Sequence, residues 1–336
     1  MVKTAVYGSG SWGTAIASVL AGAGHHTYLI GRHSDEIELM RRKRENVHYL
    51  PGVFLPDNIL PTTDLTKLEA DAVFICVPSH AVREGARRIK PYLKQDCIIV
   101  NTAKGLEEGT HLRLSEVLAE ELPLMPLAVL SGPSHAEEVG RNMPTAVVVS
   151  ASDKQTAERV QDLIMTPMFR VYVNLDLVGV ELGGALKNII ALCSGAAEGM
   201  NTRDNAKAAL MTRGLAEITR LGVALGADPL TFSGLSGLGD LIVTCTSQHS
   251  RNLRAGRALG AGKPLDQVLK EVGMVVEGVR TTKSAYELSR KIGISMPITE
   301  QAFKVLFEGA NPDKAIANLM MRGKKHEYEP LVSFES

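Results

Sequence analysis

Short, continuous apolar segments alternate with longer amphipathic segments through the first half of the chain. The apolar segments are rich in Val and Ile, and they predict strands at 3–8, 27–31, 71–77, 97–102, 127–131, 145–150 and 169–173. Continuous rather than alternating apolar strands suit a parallel sheet that is covered on both faces. Helical patterns lie between them at 12–23, 35–43, 81–93, 112–122, 135–141 and 154–165. This alternation predicts a doubly wound, Rossmann-type α/β domain.

After Asp176 the strand patterns end and only helical patterns follow, so the second domain is predicted to be all-α. Glycine is the residue that most easily adopts the left-handed conformation that ends a helix. The predicted helix ends are Gly226, Gly260, Gly273, Gly293, Gly309 and Gly323. Met296-Pro297 and Asn311-Pro312 predict the starts of the last two helices. We therefore expect an α/β domain over 1–177, a helical domain over 178–323 and a polar, disordered tail over 324–336.

Composition excludes several classes of protein. The 336 residues include 37 basic and 37 acidic side chains, so no general basic field is present to bind nucleic acid. A hydrophobic content of 45% is typical of a globular chain rather than a disordered one. Four widely spaced cysteines form neither a metal motif nor a disulfide scaffold. We expect reduced, mostly buried thiols in a cytosolic protein: Cys76, Cys97, Cys193 and Cys245.

The uncharged stretch 4–31 resembles a signal peptide at first sight. Three glycines and two serines between positions 8 and 13 interrupt its apolar run too early for that interpretation. The stretch instead predicts a strand, a turn and a helix. Neither a membrane-spanning segment nor a lipidation signal is evident, so no membrane insertion is expected.

The motif G-x-G-x-x-G follows the first predicted strand and opens the first helix, which is the context of a dinucleotide-binding loop. Gly8 permits the tight turn, Gly10 lets the backbone approach a pyrophosphate, and Gly13 lets the helix pack on the strand. The helix N-terminus then offers backbone N–H groups to the phosphates. Trp12, the only tryptophan, either packs against the core or covers the cofactor.

The second predicted strand lacks the acidic residue that holds the ribose hydroxyls of NAD at its end. Arg32 occupies this region, and a guanidinium there suits the 2′-phosphate of NADP. Asp35 and Glu36 instead fit the first turn of the next helix. We expect NADPH to be accepted well, and acceptance of NAD stays open.

Two further loops of the first domain carry polar residues at the sheet edge where ligands bind. Lys104 follows the strand 97–102, and Ser134 follows the strand 127–131. Ser134 with Glu137 also forms the pattern of a capping box, so a structural role and a ligand contact are both open.

In the second domain, Lys187 lies on a helix that also carries a stripe of small residues, including Gly183, Gly184 and Gly195. Such a stripe indicates close approach by another helix or by a ligand. Lys187 is either a surface residue whose stem lies on apolar neighbours or a desolvated amine with a lowered pKa that transfers a proton.

Two later segments carry further polar groups. Ser250 is predicted to cap a helix whose first turn contains Arg251 and Asn252, a combination suited to a phosphate. Gly239-Asp240 is a ligand segment or simply a turn.

Together these residues resemble one family. Six segments occur in the order found in bacterial NAD(P)-dependent glycerol-3-phosphate dehydrogenases, namely G-S-G-S-W-G, A-K-G-L-E, S-G-P-S-H-A-E-E-V, K-N-I-I-A-L-C-S-G, G-L-G-D-L-I-V-T-C-T-S with S-R-N, and V-V-E-G-V-R-T. The resemblance runs from the first strand to at least Thr282, and departs at His135, where an aromatic residue is common. It implies a Rossmann domain followed by a helical domain similar to that of 6-phosphogluconate dehydrogenase. The implied reaction is reversible conversion of dihydroxyacetone phosphate to sn-glycerol 3-phosphate with NAD(P)H, which supplies glycerophospholipid synthesis.

The resemblance also implies roles for individual residues, with Lys187 as the proton-transfer group. The substrate would contact Lys104, Gly132, Ser134, Lys187, Asp240, Ser250, Arg251 and Asn252. The dinucleotide would contact the glycine loop together with Ser11, Trp12, Arg32, His33, Tyr49, Lys104, Ala136, Arg251, Val275 and Glu277. No metal ligand is implied.

Two alternatives remain from other classes. A dehydrogenase of the same architecture could act on a 3-hydroxy acid, although the two phosphate-type segments argue against it. A dinucleotide sensor without activity would explain the glycine loop but not Lys187. A homodimer is expected because two-fold dimers are the commonest oligomers, and the role of Asp240 toward Lys187 or a substrate hydroxyl stays open.

Overall fold

The computed structural model describes residues 2–324, 326 and 327, and it divides the chain into two compact units. The first unit contains the chain up to Lys104 and the segment Arg113–Leu177. The second contains Gly105–Leu112 and the chain from Val178 onward. The sequence prediction places Gly105–Leu112 in the first domain instead, and most of the predicted tail lies outside the described residues.

The first unit is built on an eight-stranded sheet with the order β3-β2-β1-β4-β5-β6-β7-β8. The strands are β1 Lys3–Tyr7, β2 His26–Ile30, β3 Ile59–Thr62, β4 Ala72–Ile75, β5 Ile98–Asn101, β6 Leu127–Ser131, β7 Thr145–Ala151 and β8 Phe169–Asn174. Neighbours are parallel except for the antiparallel pair β6–β7. The carboxyl ends of β1 to β6 therefore lie at one edge of the sheet, the edge at which ligands bind in open α/β sheets.

All seven predicted strands are present, and β3 was missed. This strand has only four residues and contains Pro61, which cannot donate to a ladder hydrogen bond and so argues against a strand. It is tolerated because β3 lies at the sheet edge and pairs only with β2.

Six helices accompany the sheet, and their positions agree with the predicted pattern. They are α1 Ser11–Gly22, α2 Ser34–Lys43, α3 Val82–Ile89, α4 Leu114–Glu121, α5 Ala136–Gly140 and α6 Lys154–Ile164. Helix α3 ends earlier than predicted because Pro91 follows, and the chain continues as the tighter turn Lys90–Tyr92. The strands and helices enclose an apolar core that includes Phe74 and Phe169.

From residue 177 onward the described chain forms helices and no strand, which confirms the predicted change of class, whereas the segment Gly105–Leu112 of the same unit is a loop. Its helices are α7 Leu177–Gly199, α8 Asp204–Ala224, α9 Asp240–Thr246, α10 Arg251–Gly260, α11 Leu265–Val272, α12 Glu277–Ile292, α13 Pro297–Phe307 and α14 Pro312–Met320. A π-helical turn, Leu235–Gly239, leads directly into α9. The core centres on apolar residues of α7, and Leu106 inserts into it from the segment Gly105–Leu112.

By length and composition alone, helix α7 is long and apolar enough to cross a membrane. However, 78% of its most apolar 18-residue window is buried inside the protein. A central helix of a packed helical unit has the same features, because it contacts neighbours on all sides.

Close packing of α7 and α10 corrects the prediction for Gly260. Gly195 and Gly199 on α7 face Gly256 and Gly260 on α10, and a Cβ at any of the four would overlap a carbonyl oxygen of the other helix. Helix α10 ends at Gly260 as predicted, but this glycine permits close approach to α7, and the left-handed conformation occurs instead at Gly262, with φ +88°. The predicted left-handed conformation is present at Gly226, Gly273, Gly293 and Gly309.

Glu217 on α8 is a carboxyl group buried within the second unit, with 3% exposure. It accepts hydrogen bonds from the backbone N–H groups of Ile298 at 2.6 Å and Thr299 at 3.3 Å, at the start of α13. Burial raises the pKa of Glu217 to about 7, although these N–H groups and the charges of Arg220 and Arg322 lower it.

Glu217→Gln should therefore change how stability depends on pH. The raised pKa means that the native carboxyl holds its proton longer than the unfolded one, so its contribution is full below about pH 4.5 and lost as pH rises through about 7. Relative to the variant, the wild type should lose about 2 kcal/mol of unfolding free energy between pH 5 and pH 8. Urea denaturation measures this difference, with the exposed Glu308→Gln as control. An equal difference in unfolding free energy between wild type and variant at both pH values would contradict the raised pKa of Glu217.

Candidate active site

The glycine loop joins β1 to α1 with the backbone that the motif predicts. Gly8 has φ +115°, and a Cβ there would lie 2.6 Å from the carbonyl oxygen of Cys76. A Cβ at Gly13 would overlap the carbonyl oxygen of Gly8, so glycine is required for the helix to pack on the strand. A Cβ at Gly10, in contrast, would have no neighbour within 4 Å. The loop is therefore tightly packed underneath and open above Gly10.

This opening fits a dinucleotide pyrophosphate. Gly10 is the N-cap residue of α1, no side chain caps this helix end, and no acidic residue lies in its first turn. Backbone N–H groups at Ser11 and beyond can therefore approach a phosphate without a competing anion. Trp12 packs partly buried against the core of the first unit, which supports the structural interpretation of this residue.

The residues expected near the adenosine end lie beyond β2. Arg32 and His33 are exposed between β2 and α2, and Asp35 and Glu36 occupy the first turn of α2 as predicted. Tyr49, 36% exposed, donates a long 3.5 Å hydrogen bond to Glu36. The structure thus leaves a guanidinium, and no carboxylate, immediately after β2.

Lys104, Gly132 and Ser134 lie together in the first unit. Lys104 Nζ donates to the carbonyl oxygen of Gly132 at 2.9 Å, and Ser134 Oγ donates to the same oxygen at 2.9 Å. Gly132 has φ +123°. The capping-box interpretation of Ser134 is wrong, because α5 begins at Ala136 and its N-cap residue is His135. Both polar side chains thus turn back onto the loop that follows β6.

Lys187 is buried in the middle of α7, with 6% exposure. Its Nζ donates to Asp240 Oδ1 at 2.5 Å and to Thr244 Oγ1 at 2.6 Å. Asp240 is 1% exposed, and the Thr244 hydroxyl donates to the Asp240 carbonyl oxygen at 2.6 Å. The surface interpretation of Lys187 is therefore wrong. Burial disfavours its charge, while the adjacent carboxylate stabilises it.

Close helix packing makes this pair possible. A Cβ at Gly183, one turn before Lys187, would lie 2.7 Å from the carbonyl oxygen of Ser236 in the π-helical turn. The glycine stripe therefore serves contact with a neighbouring helical segment, as one of the two sequence interpretations expected. Because this turn leads straight into α9, it brings Asp240 and Thr244 against Lys187.

Sequence reasoning missed two polar residues of this region, Thr244 and Asn188. Thr244 follows Asp240 by four residues on one helix, so the i, i+4 spacing was the available signal. Asn188 Oδ1 accepts from Asn252 Nδ2 at 2.9 Å, and Asn252 Oδ1 accepts from Gly278 N at 2.8 Å. This second contact needs three helices to meet, so no local pattern indicates it.

The predicted phosphate segment forms the start of α10. Ser250 caps the helix, its Oγ accepting from Leu253 N at 3.2 Å, as predicted. Arg251 donates to the carbonyl oxygen of Val275 at 3.1 Å, and Glu277 is the first residue of α12. The structure therefore joins the S-R-N segment to the V-V-E-G segment, two motifs far apart in the sequence.

The four cysteines are free, as predicted, and burial raises the pKa of each to about 12. They are therefore protonated and unreactive near neutral pH. Among the described residues, no group of three or more His, Cys, Asp or Glu side chains could hold a metal ion.

Comparison with known proteins finds one family across both units. The chain matches the NAD-dependent glycerol-3-phosphate dehydrogenase N-terminus over residues 3–157 and the corresponding C-terminus over 176–317. It is 66% identical over 330 residues to an NAD(P)+ glycerol-3-phosphate dehydrogenase of Desulfitobacterium hafniense, covering 98% of this chain and 94% of the relative. The corresponding Pelotomaculum thermopropionicum enzyme is 58% identical, with 97% and 95% covered. A crystal structure of glycerol-3-phosphate dehydrogenase from Coxiella burnetii matches with TM-score 0.91 and 40% identity, covering 95% of this chain and 98% of that one.

Removal of both members of the buried pair should cost less stability than the two single removals added together. Asp240→Ala leaves the Lys187 ammonium desolvated without its carboxylate, so the unfolding free energy should fall by about 3 kcal/mol. Lys187→Met alone should also destabilise, and the double variant should lose clearly less than the sum of the two. Urea denaturation of the four proteins measures this coupling.

The exposed pair Lys263–Glu271, whose side chains are more than 40% exposed, provides the matched control cycle. Its coupling should stay below about 1 kcal/mol. Additive losses for Lys187 and Asp240 would show that they do not interact in solution.

Proposed function

Since the chain belongs to the NAD(P)-dependent glycerol-3-phosphate dehydrogenase family, we propose that it supplies glycerol 3-phosphate for glycerophospholipid synthesis in the cytoplasm. The chain is an oxidoreductase that reduces dihydroxyacetone phosphate to sn-glycerol 3-phosphate, reversibly and with NAD(P)H. The observation that carries the chemistry is the buried Lys187, held by Asp240 and Thr244.

The first unit binds the dinucleotide. The N–H groups at the start of α1 would hold the pyrophosphate near Gly10, where no side chain obstructs its approach. Arg32 pairs with a 2′-phosphate after β2, which favours NADPH. The bound cofactor supplies the hydride that reduces the ketone carbon.

Lys187 supplies the proton. As the ketone is reduced, negative charge develops on its oxygen, and the Lys187 ammonium donates a proton to that oxygen. In the oxidative direction the neutral amine removes the proton from the hydroxyl. Asp240, 2.5 Å from Nζ, orients the amine and stabilises its charged form between turnovers. Lys104 holds the substrate or stabilises the developing charge.

The start of α10 binds the substrate phosphate. The helix N-terminus and Arg251 provide positive potential, and Asn252 provides an amide donor fixed in orientation by Asn188 and Gly278. Binding energy from this non-reacting group positions the ketone relative to Lys187. This requirement favours a phosphorylated substrate over a 3-hydroxy acid.

The direct test is oxidation of NADPH, followed by its absorbance, with dihydroxyacetone phosphate as substrate. Turnover should need the phosphate, so dihydroxyacetone alone should be a far poorer substrate. Oxidation of a 3-hydroxy acid with NADP+ in place of this turnover, or binding of NADPH without any turnover, would contradict the proposed function.

Lys187→Ala should reduce kcat by about 10²–10⁴-fold, the range that a positioned proton donor contributes. NADPH binding should persist, because the glycine loop belongs to the other unit. Steady-state kinetics and a fluorescence titration measure the two quantities. Lys304→Ala, on the surface of α13, is the control and should keep normal turnover. Near-normal kcat in Lys187→Ala would refute the proton-transfer role.

Arg32→Asp should shift the preference from NADPH toward NADH. The change removes the cation for the 2′-phosphate and places a carboxylate where it can bind ribose hydroxyls. The ratio of kcat/KM for NADPH to that for NADH should fall about tenfold or more. Arg170→Asp on β8, at the opposite side of the sheet, makes the same charge change and should leave the ratio unaltered. An unchanged ratio in Arg32→Asp would reject the assignment.

Two further expectations concern the assembly and location of the protein. We propose a homodimer, the commonest closed assembly of soluble oligomers, and no insertion into membranes or binding of nucleic acid. The neutral net charge supports the last point, because binding of a polyanion relies on an excess of cations.

A further inference from the structure

The segment between α2 and β3, residues 44–58, contacts both ends of α1 through two asparagines. Asn46, 3% exposed, lies against the glycine loop at the start of the helix. Asn58 lies at the other end, where its Nδ2 donates to the carbonyl oxygens of Ala21 at 2.9 Å and His25 at 2.8 Å. The two side chains have the same chemistry, but only Asn46 is next to the predicted pyrophosphate site.

Asn46 uses both polar atoms of its amide in contacts with this region. Its Nδ2 donates to the carbonyl oxygen of Ser9 at 2.8 Å and to Thr14 Oγ1 at 2.7 Å, and its Oδ1 accepts from Tyr49 N at 3.2 Å. Thr14 Oγ1 in turn donates to the carbonyl oxygen of Gly10 at 2.9 Å. One buried side chain therefore holds the Ser9 carbonyl directly. Through the Thr14 hydroxyl it also contacts the Gly10 carbonyl, which in addition accepts from the Thr14 backbone N–H at 3.0 Å.

These contacts determine where the loop N–H groups point. In a trans peptide the carbonyl and the N–H of the same unit point in opposite directions. Fixing the carbonyl oxygens of Ser9 and Gly10 on the side of Asn46 and Thr14 directs the N–H groups of Gly10 and Ser11 to the other side. No Cβ obstructs Gly10, so this orientation presents backbone donors to an approaching phosphate.

We propose that Asn46 is a positioning residue for dinucleotide binding, which orients the pyrophosphate loop through Ser9 and Thr14 without contacting the cofactor. The proposal rests on the proposed function only in taking NAD(P)H as the ligand. It also links the loop to Tyr49, whose backbone N–H donates to the same side chain.

Asn46→Ala should raise the dissociation constant for NADPH about tenfold or more, because it leaves the Ser9 carbonyl and the Thr14 hydroxyl without this donor. Fluorescence titration with NADPH alone measures the constant. In steady-state assays the KM for NADPH should rise in parallel. The KM for dihydroxyacetone phosphate, and kcat at saturating NADPH, should stay close to wild type.

Asn58→Ala is the matched control, because it removes the same amide group from the far end of the same helix. It should lower the melting temperature, as Asn46→Ala also should, but leave the NADPH dissociation constant unchanged. A purely structural role for Asn46 would instead make the two variants alike in both measurements.

A second pair of variants tests the link through Thr14 and serves if Asn46→Ala fails to fold. Thr14→Val keeps the shape of the side chain but removes the hydroxyl, so the NADPH dissociation constant should rise severalfold. Thr14→Ser restores the hydroxyl and should restore binding.

Wild-type NADPH affinity in both Asn46→Ala and Thr14→Val, or equal weakening by Asn58→Ala, would overturn the proposal. The titration contains no dihydroxyacetone phosphate, so it tests the role of Asn46 even if the chain reduces another substrate.

Discussion

Burial of the Lys187 ammonium is the constraint on which the second unit depends. A lysine removed from water needs a carboxylate and further acceptors at close range, and here Asp240 and Thr244 provide them. They can reach Nζ only because Gly183 lets the turn before α9 approach α7 to backbone contact. A larger residue at Gly183 would separate the turn from α7. The contacts of Lys187 with Asp240 and Thr244 therefore depend on the close packing of these helices.

In the first unit, too, glycine allows close packing, and at a second position it leaves the backbone uncovered. At Gly13 it brings a helix against a strand, while at Gly10 it leaves space above the helix end. Both effects come from the missing Cβ. Protein atoms fill the space at Gly13, whereas no described atom lies within 4 Å of a Cβ built at Gly10. The N–H groups above Gly10 remain available because the carbonyls of the same segment are bound from below by Asn46 and Thr14.

Local patterns predicted the fold well because they report properties of single elements. The seven apolar strands, the change to helices near residue 177 and the cap at Ser250 each depend on a few neighbouring residues. The glycine loop was also identified from local context, whereas local context left Lys187 open between a surface residue and a desolvated amine. Edge strand β3 was missed because Pro61 opposes a strand, and only its pairing with β2 overrides that preference.

Contacts between distant segments could not be predicted in the same way. Gly260 is the residue type expected at a helix end. Its structural role, however, depends on Ala196 of another helix, whose carbonyl oxygen leaves no space for a Cβ. Asn46 and Asn188 are isolated asparagines in the sequence, and each acquires its role from partners on elements that fold against it. The six family motifs did not include Asn46. A motif describes a continuous segment of sequence and not the distant residues that pack against that segment.

The balanced charge of the chain means that phosphate groups can be bound only by donors arranged locally. With 37 basic and 37 acidic residues, no general field draws anions to the protein, so each phosphate must be bound by locally arranged groups. At the start of α1 the groups proposed to bind phosphate are backbone N–H donors, whose strength depends on their direction and not on titration. If the dinucleotide binds there as proposed, its affinity should depend on how firmly the loop is oriented, which on our proposal involves neutral side chains such as Asn46.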